Sequence, residues 1–210
     1  THDGDDVVVS AGRTGGATRE LLADDPRLKK VLDAGAAADA KPGHDGYRPD
    51  RYTSELAVAI LETRRPRFLF VSLGDTDEYG HGGDYGHYIS ALRADDRFLG
   101  EVAHIASSWE RDGDTVMILA TSDHGREAAF RDHGREHPES ARTWFVAAGG
   151  AFAGGPRGKP ALHKLSDIAP TIEVAIGADP RPETETGVAM TELFADPRGS
   201  QDHLASLGIW

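Results

Sequence analysis

Two short apolar segments, residues 68–71 and 115–120, each run directly into a cluster of acids, histidines and glycines. The first continues into L-G-D-T-D-E-Y-G-H-G-G-D-Y-G-H at residues 73–87, and the second into T-S-D-H-G at residues 121–125. A short apolar run bounded by turn residues is typical of a buried strand. Because the segments that follow are too polar to be core, we predict that each is a liganding loop at the end of a strand. This repeated arrangement restricts the fold more than any other feature.

Segments with helical periodicity separate these apolar runs, which favours an α/β fold. The connections are long enough for right-handed crossovers, so we predict a mostly parallel sheet with helices on both faces. In such sheets ligands bind beyond the carboxyl ends of the strands, where both polar clusters fall. The predicted strands are residues 7–9, 67–73, 115–120 and 143–148, and the predicted helices are a broken one at 19–32 and others at 50–63, 88–109, 166–176 and 190–194.

Length and composition exclude several classes of protein. The 210 residues predict one α/β domain, 1–210, and the formal net charge of -12 argues against nucleic-acid partners and anionic membrane surfaces. No apolar run approaches the roughly 18 residues of a membrane span. Cysteine is absent, so any metal must be held by oxygen and imidazole ligands. Neither a cytoplasmic nor an exported location is excluded.

The acids and histidines of the two polar clusters have the spacing of metal ligands. Asp77 and His81 lie four residues apart, and with a histidine from another loop they would form a three-ligand site with an open position. Asp123 and His124 would begin a second site. Each cluster alone also fits an ordinary hydrogen-bonded turn or cap, but their joint position at strand ends favours metal.

Three motifs together resemble those of the alkaline phosphatase superfamily. They are D-x-x-G-H at residues 77–81, T-x-D-H-G at 121–125 and L-x-D-x-A-P-T-I at 165–172. This superfamily includes nucleotide pyrophosphatase/phosphodiesterases, cofactor-independent phosphoglycerate mutases, phosphopentomutases and sulfatases. The motifs occur in the superfamily's order across residues 68–177, and the set is specific although each motif alone is weak.

The resemblance implies two divalent metal ions, zinc first and manganese as the alternative. By analogy with the superfamily, Asp77 and His81 would bind the first ion, and Asp123 and His124 the second. The implied reaction is two-metal phosphoryl transfer on a small-molecule phosphate ester, either a monoester or a diester.

The third ligand of the first ion is less well defined by the motifs. His133, in an H-G pair shortly before the predicted strand at 143–148, resembles the histidine of the phosphodiesterases. His137 and His163 are the alternatives. Asp75 and His87 are expected either to support the ligands from outside or to be solvated loop residues.

The superfamily's nucleophile, a serine or threonine at a helix start, has no clear counterpart here. Thr14 and Thr18 lie between a predicted strand and helix and are the weak candidates. The metal-binding aspartate that should precede them is not recognisable, so the chain is predicted to be the C-terminal portion of such a domain. The alternatives are a non-catalytic metal-binding or structural module of the same fold, or a sulfatase or phosphomutase.

Overall fold

The computed structural model describes residues 24–150, 152, 162–177 and 187–194. These residues divide into two units, residues 24–105 with 126–140, and residues 106–125 with the described residues from 141 onward. The predicted strand at residues 7–9 and the candidate nucleophiles Thr14 and Thr18 lie outside the described residues. The single domain expected from the length stays a prediction.

The first helix of the described residues, α1 (Pro26–Ala37), overlaps the predicted helix at 19–32, of which residues 19–23 lie outside the described part of the chain. Asp25 caps it, because its carboxylate accepts the backbone N–H groups of Arg27 and Leu28 at 2.9 and 3.2 Å. Pro26 occupies the first helical position, where its missing N–H costs nothing. Pro26 therefore begins a helix at the point where the sequence pattern alone suggested a break.

Helix α2 (Asp50–Arg64) agrees with the predicted helix at 50–63 to within one residue. It ends where Arg65 adopts a left-handed conformation, with φ of 46°, directly before Pro66. Its apolar face packs on α1. The core cluster that results contains residues of both helices: Leu28, Leu32, Leu56, Ala59 and Ile60.

Ile60 is fully buried in this cluster, so removing one methyl group should be measurable. We expect Ile60→Val to lower the free energy of unfolding by about 0.5–1.5 kcal/mol, the usual range for this deletion in a packed core. Urea unfolding followed by circular dichroism would measure the change. The control is Leu92→Ala at an exposed position, and an equal loss there would contradict the assignment of the core.

The polar segment at residues 73–87 differs from the predicted loop. It contains a short helix, α3 (Asp75–His81), and the start of the long helix α4 (Tyr85–Arg111). Helix α4 includes the predicted helix at 88–109 and begins three residues earlier. The preceding residues, 67–74, belong to no β-ladder among the described residues, so the strand predicted at 67–73 is not confirmed.

The described sheet consists of two strands, β1 (Ile118–Thr121) and β2 (Phe145–Ala148), which pair antiparallel. Ile118 lies opposite Ala148, and Thr121 lies opposite Phe145. The combination of helices and strands confirms the α/β content, but this pair is antiparallel where a parallel arrangement was expected. The physical reason is the connection: residues 122–144 contain one 3-10 turn and no α-helix, so no crossover helix returns the chain in a parallel direction.

The third motif forms a 3-10 turn, Leu165–Asp167, followed by α5 (Ile168–Ala175). Asp167 accepts the N–H groups of Lys164 and Val188, and the fully buried Thr171 accepts that of Met190 at 2.9 Å. Burial alone would raise the pKa of Asp167, but these N–H bonds hold it below its usual value. Two polar residues of this motif therefore serve the local structure by fixing the segment at 187–190.

None of the described helices has the length and apolar character required to cross a membrane.

Candidate metal centre

Helix α3 places Asp77 and His81 on the same side, because residues four apart on a helix are neighbours. Oδ2 of Asp77 lies 3.4 Å from Nε2 of His81. Both side chains are partly exposed, at 35% and 41%, so an ion from solvent can reach them. The helical spacing brings together the two residues that the first motif pointed to.

His133 joins this pair from the loop after residue 126. Its Nε2 lies 3.1 Å from Nε2 of His81 and 3.6 Å from Oδ1 of Asp77. Ligand atoms around a tetrahedral ion with bonds of 2.0–2.1 Å are about 3.3 Å apart. The two imidazole nitrogens are separated by about this distance, and each lies at a similar distance from one carboxylate oxygen of Asp77, Oδ2 for His81 and Oδ1 for His133. The donor set of one carboxylate and two imidazoles also suits zinc. We refer to Asp77, His81 and His133 as the Asp-His-His cluster.

The start of α3 is fixed by a reciprocal set of hydrogen bonds with the start of α2. The carboxylate of Asp50 accepts the N–H groups of Gly74 at 2.9 and 3.0 Å and of Asp75 at 2.7 Å. In return, Oδ1 of Asp75 accepts the N–H of Asp50 at 3.2 Å and the hydroxyl of Tyr47 at 2.6 Å. We call Tyr47, Asp50 and Asp75 the helix-start network.

This network holds two carboxylates close together, and the pKa of Asp50 shows it. Burial, followed by the charge of Asp75, raises the pKa of Asp50 to about 6. Asp95 on α4 behaves similarly, because burial and the charges of Asp50 and Asp75 raise its pKa to about 7. Burial and the same carboxylates also raise the pKa of Tyr47, so its hydroxyl keeps the proton that it donates.

Arg126 contacts the Asp-His-His cluster from the loop side. Its Nη2 donates to Oδ1 of Asp77 and, at 3.1 Å, to the backbone oxygen of the same residue. The Arg126 side chain is 11% exposed and passes across Gly80 of α3. Phe130 lies below the guanidinium, with Cζ at 5.8 Å from the ring centre.

Aromatic packing holds the loop that carries His133. Phe130 makes edge contacts with Tyr85 and Tyr88 of α4, at ring separations of 5.2 and 4.6 Å. Phe130 adopts a left-handed backbone conformation with φ of 68°, which is uncommon for a bulky residue. The aromatic contacts stabilise this loop conformation and so help to place His133.

The second polar cluster, Asp123 and His124, follows β1 and belongs to the other unit. Nε2 of His124 lies 3.6 Å from Oδ1 of Asp123. Nδ1 of His124 lies 2.9 Å from the carbonyl oxygen of Gly125, which it reaches as an N–H donor. That bond leaves Nε2 with its lone pair, the form in which histidine binds metal.

The alternative ligands have other partners. His137 lies 3.6 Å from Glu127, and His163 lies 2.6 Å from Glu192 and 3.7 Å from Asp167. Of the three histidines considered for the first ion, His133 therefore contacts the Asp77 and His81 pair.

The two residues expected in supporting roles separate in the structure. Asp75 belongs to the helix-start network. His87 pairs with Asp84 at 2.6 Å and stacks on Tyr79 at 5.2 Å, which explains its position without a metal.

Sequence reasoning missed three residues of the centre: Arg126, Tyr47 and Asp50. Asp50 is the first residue of α2, and its carboxylate accepts N–H groups at the start of α3. No local spacing signals a contact between residues 25 or 49 positions apart. The signal available for Arg126 was its position directly after the D-H-G of the second motif.

Comparison with known proteins places the chain in a family. The family model described as the metalloenzyme superfamily matches residues 25–179. The chain therefore belongs to the metalloenzyme superfamily, and the resemblance to the alkaline phosphatase-like enzymes is confirmed.

Curated relatives within this superfamily include enzymes of two kinds. The chain is 30% identical over 151 residues to a 2,3-bisphosphoglycerate-independent phosphoglycerate mutase of Synechococcus elongatus, covering 68% of the chain and 27% of the relative. It is 28% identical over 145 residues to the mutase of Haloarcula marismortui, covering 66% and 26%. It is also 28% identical over 126 residues to GPI ethanolamine phosphate transferase 1 of Neurospora crassa, covering 60% and 12%. The chain thus spans about a quarter of the length of these mutases. No solved structure matches the chain significantly.

Proposed function

We propose that this chain carries the metal-binding part of an enzyme that transfers phosphoryl groups from small-molecule phosphate esters. The observation that carries the proposal is the Asp-His-His cluster, in which the two imidazole Nε2 atoms lie 3.1 Å apart and each lies within 3.6 Å of one oxygen of the Asp77 carboxylate. Membership of the metalloenzyme superfamily and similarity to mutases and a phosphate transferase support the same reaction class.

Asp77, His81 and His133 would hold the first divalent ion, zinc or manganese, and Asp123 and His124 would contribute to the second. Such ions polarise the phosphoryl oxygens and stabilise the developing charge on the leaving oxygen. The protein supplies positioned ligands: α3 fixes Asp77 and His81, the Gly125 carbonyl fixes the His124 tautomer, and the aromatic contacts of Phe130 hold the His133 loop. Thr14 and Thr18 remain candidate nucleophiles.

Hydrolysis of a phosphate monoester or diester is the form of the reaction that we propose. A phosphomutase is the second candidate, because the mutases named above are similar to most of this chain. A sulfatase is a further alternative, because one fold can carry several chemistries. A non-catalytic module would retain the Asp-His-His cluster and lack turnover.

The test is an assay of the full chain with nitrophenyl phosphate, bis-nitrophenyl phosphate and nitrophenyl sulfate, each with Zn²⁺ or Mn²⁺. We expect metal-dependent release of nitrophenol from one of the phosphates and none from the sulfate. Interconversion of phosphoglycerates, followed by NMR, would assign the mutase instead. Tight metal binding without turnover of any substrate would contradict catalysis by this chain on its own and would support the non-catalytic module.

A further inference from the structure

We propose that Arg126 is a positioning residue that fixes the carboxylate of Asp77 for metal binding, and that residue 80 is glycine because this arginine crosses it. The inference rests on the proposed metal at the Asp-His-His cluster. The contact between Arg126 and Asp77 connects the loop that begins at residue 126 to α3.

The first observation is the double contact that Arg126 makes with one residue. Its Nη2 donates both to Oδ1 of Asp77 and, at 3.1 Å, to the Asp77 backbone oxygen. A charge-assisted bond to one oxygen fixes the rotation of a carboxylate. The other oxygen, Oδ2, then lies 3.4 Å from Nε2 of His81, the separation expected of two ligands on one ion.

The second observation is the space that this contact needs. A Cβ atom at Gly80 would lie 2.7 Å from Cζ and 2.8 Å from Nε of Arg126. Real Cβ atoms do not approach other heavy atoms so closely, so any side chain at residue 80 would displace the guanidinium. Alanine would otherwise be favoured at a helical position, which argues that the glycine is kept for the arginine.

The third observation concerns stability. Only 11% of the Arg126 side chain is exposed to solvent. Its buried Nη1 has no hydrogen-bond partner among the described residues. A buried donor without a partner costs folding free energy. A residue that served stability alone would have all of its guanidinium nitrogens satisfied, so the contact with Asp77 is better explained by the function of that carboxylate.

The positive charge of Arg126 can also oppose metal binding, so losing the arginine could either weaken or strengthen it. The guanidinium repels a divalent ion, whereas its orientation of Asp77 favours binding. If orientation dominates, losing Arg126 weakens metal binding. If repulsion dominates, the guanidinium only neutralises Asp77 in place of the metal ion, and losing it strengthens metal binding.

The experiment measures Zn²⁺ affinity by calorimetry and the coordination of Co²⁺ by its visible spectrum, in the full chain. We expect Arg126→Met to weaken Zn²⁺ binding by about 10–100-fold, the usual effect of removing a group that orients a ligand. The melting temperature in EDTA should change little, and the Co²⁺ spectrum should change shape. Arg135→Met removes the same charge from an exposed position on the same loop and should leave all three readouts unchanged.

The glycine provides an independent variant. Gly80→Ala should weaken Zn²⁺ binding as much as Arg126→Met, and the double variant should be no weaker than either single one. Gly82→Ala is the matched control, because a Cβ there would meet nothing closer than 3.5 Å.

Three outcomes overturn the inference, and each is distinguishable. Wild-type affinity in both Arg126→Met and Gly80→Ala would remove the positioning role while leaving the metal site in place. Tighter binding in Arg126→Met would show that repulsion dominates. A wild-type chain that binds no Zn²⁺ would overturn the proposed function, and this inference with it. If Arg126→Met fails to fold, Arg126→Lys and Gly80→Ala give the same comparison.

Discussion

Replacing His81 with alanine is expected to remove most of the zinc that the protein binds. His81 Nε2 lies 3.1 Å from His133 Nε2 and 3.4 Å from Oδ2 of Asp77, so it is central to the Asp-His-His cluster. Losing a direct ligand should weaken binding by more than the roughly 10–100-fold that losing a supporting group costs. Asp77→Ala should have an effect of similar size. The measurement is the metal-to-protein ratio after dialysis, with calorimetry to obtain the affinity.

The same experiment identifies the third ligand. His133→Ala should lose zinc to a similar extent as His81→Ala, whereas His137→Ala and His163→Ala should retain it. His104→Ala, at an exposed position on α4, is the control for loss of an imidazole in general. Loss of zinc in His137→Ala with none in His133→Ala would reassign the third ligand, and full retention in His81→Ala would refute the site.

The sequence allowed the longer helices to be predicted because their apolar positions recur with a helical period. Helices α2 and α4 were each predicted to within a few residues. The motif spacing also selected Asp77 and His81, which the structure places side by side. Their binding of metal stays a prediction, as does that of Asp123 and His124.

Helix α3 could not be predicted from local pattern, because its seven residues include three acids and one glycine and carry no apolar periodicity. Its start depends on the carboxylate of Asp50, some 25 positions earlier in the chain. The pairing of β1 with β2 was equally hidden. A strand pattern does not state its direction, and the antiparallel pairing follows from a connection that lacks an α-helix.

Replacing Asp50 with alanine is expected to destabilise the unit that contains α3 and to weaken metal binding there. The side chain is buried, at 5% exposure, and accepts the N–H groups of Gly74 and Asp75. Alanine would leave both donors without their acceptor and would remove the cap of α3. We expect a loss of about 2–4 kcal/mol, from one cap and one or two unpaired buried groups. For a chain of this size, that corresponds to a fall of roughly 5–10 °C in melting temperature.

The charge of Asp50 gives this prediction a pH dependence with a definite sign. Its pKa is about 6 in the folded protein and 3.8 for the free side chain, so folding favours the protonated form. The cost of the buried charge is fully present above about pH 6 and is removed as the pH falls toward 3.8. Asp95, with a pKa of about 7, acts in the same direction. The wild-type melting temperature in EDTA should therefore rise as the pH is lowered from 8 to 5.

Asn at position 50 separates the two contributions of Asp50. Asp50→Asn keeps one acceptor oxygen and removes the charge that faces Asp75, so it should cost less stability than alanine and should reduce the rise between pH 8 and 5. Asp95→Asn should reduce the remaining rise, since it removes the other carboxyl whose pKa is raised by burial. Asp39→Asn, at an exposed position in the same unit, is the control. If Asp50→Asn keeps the full pH dependence, the helix-start network is not the source of the titration.

If Asp50→Ala melts like the wild type, the carboxylate does not hold α3 at its start, and the position of Asp77 and His81 must depend on other contacts.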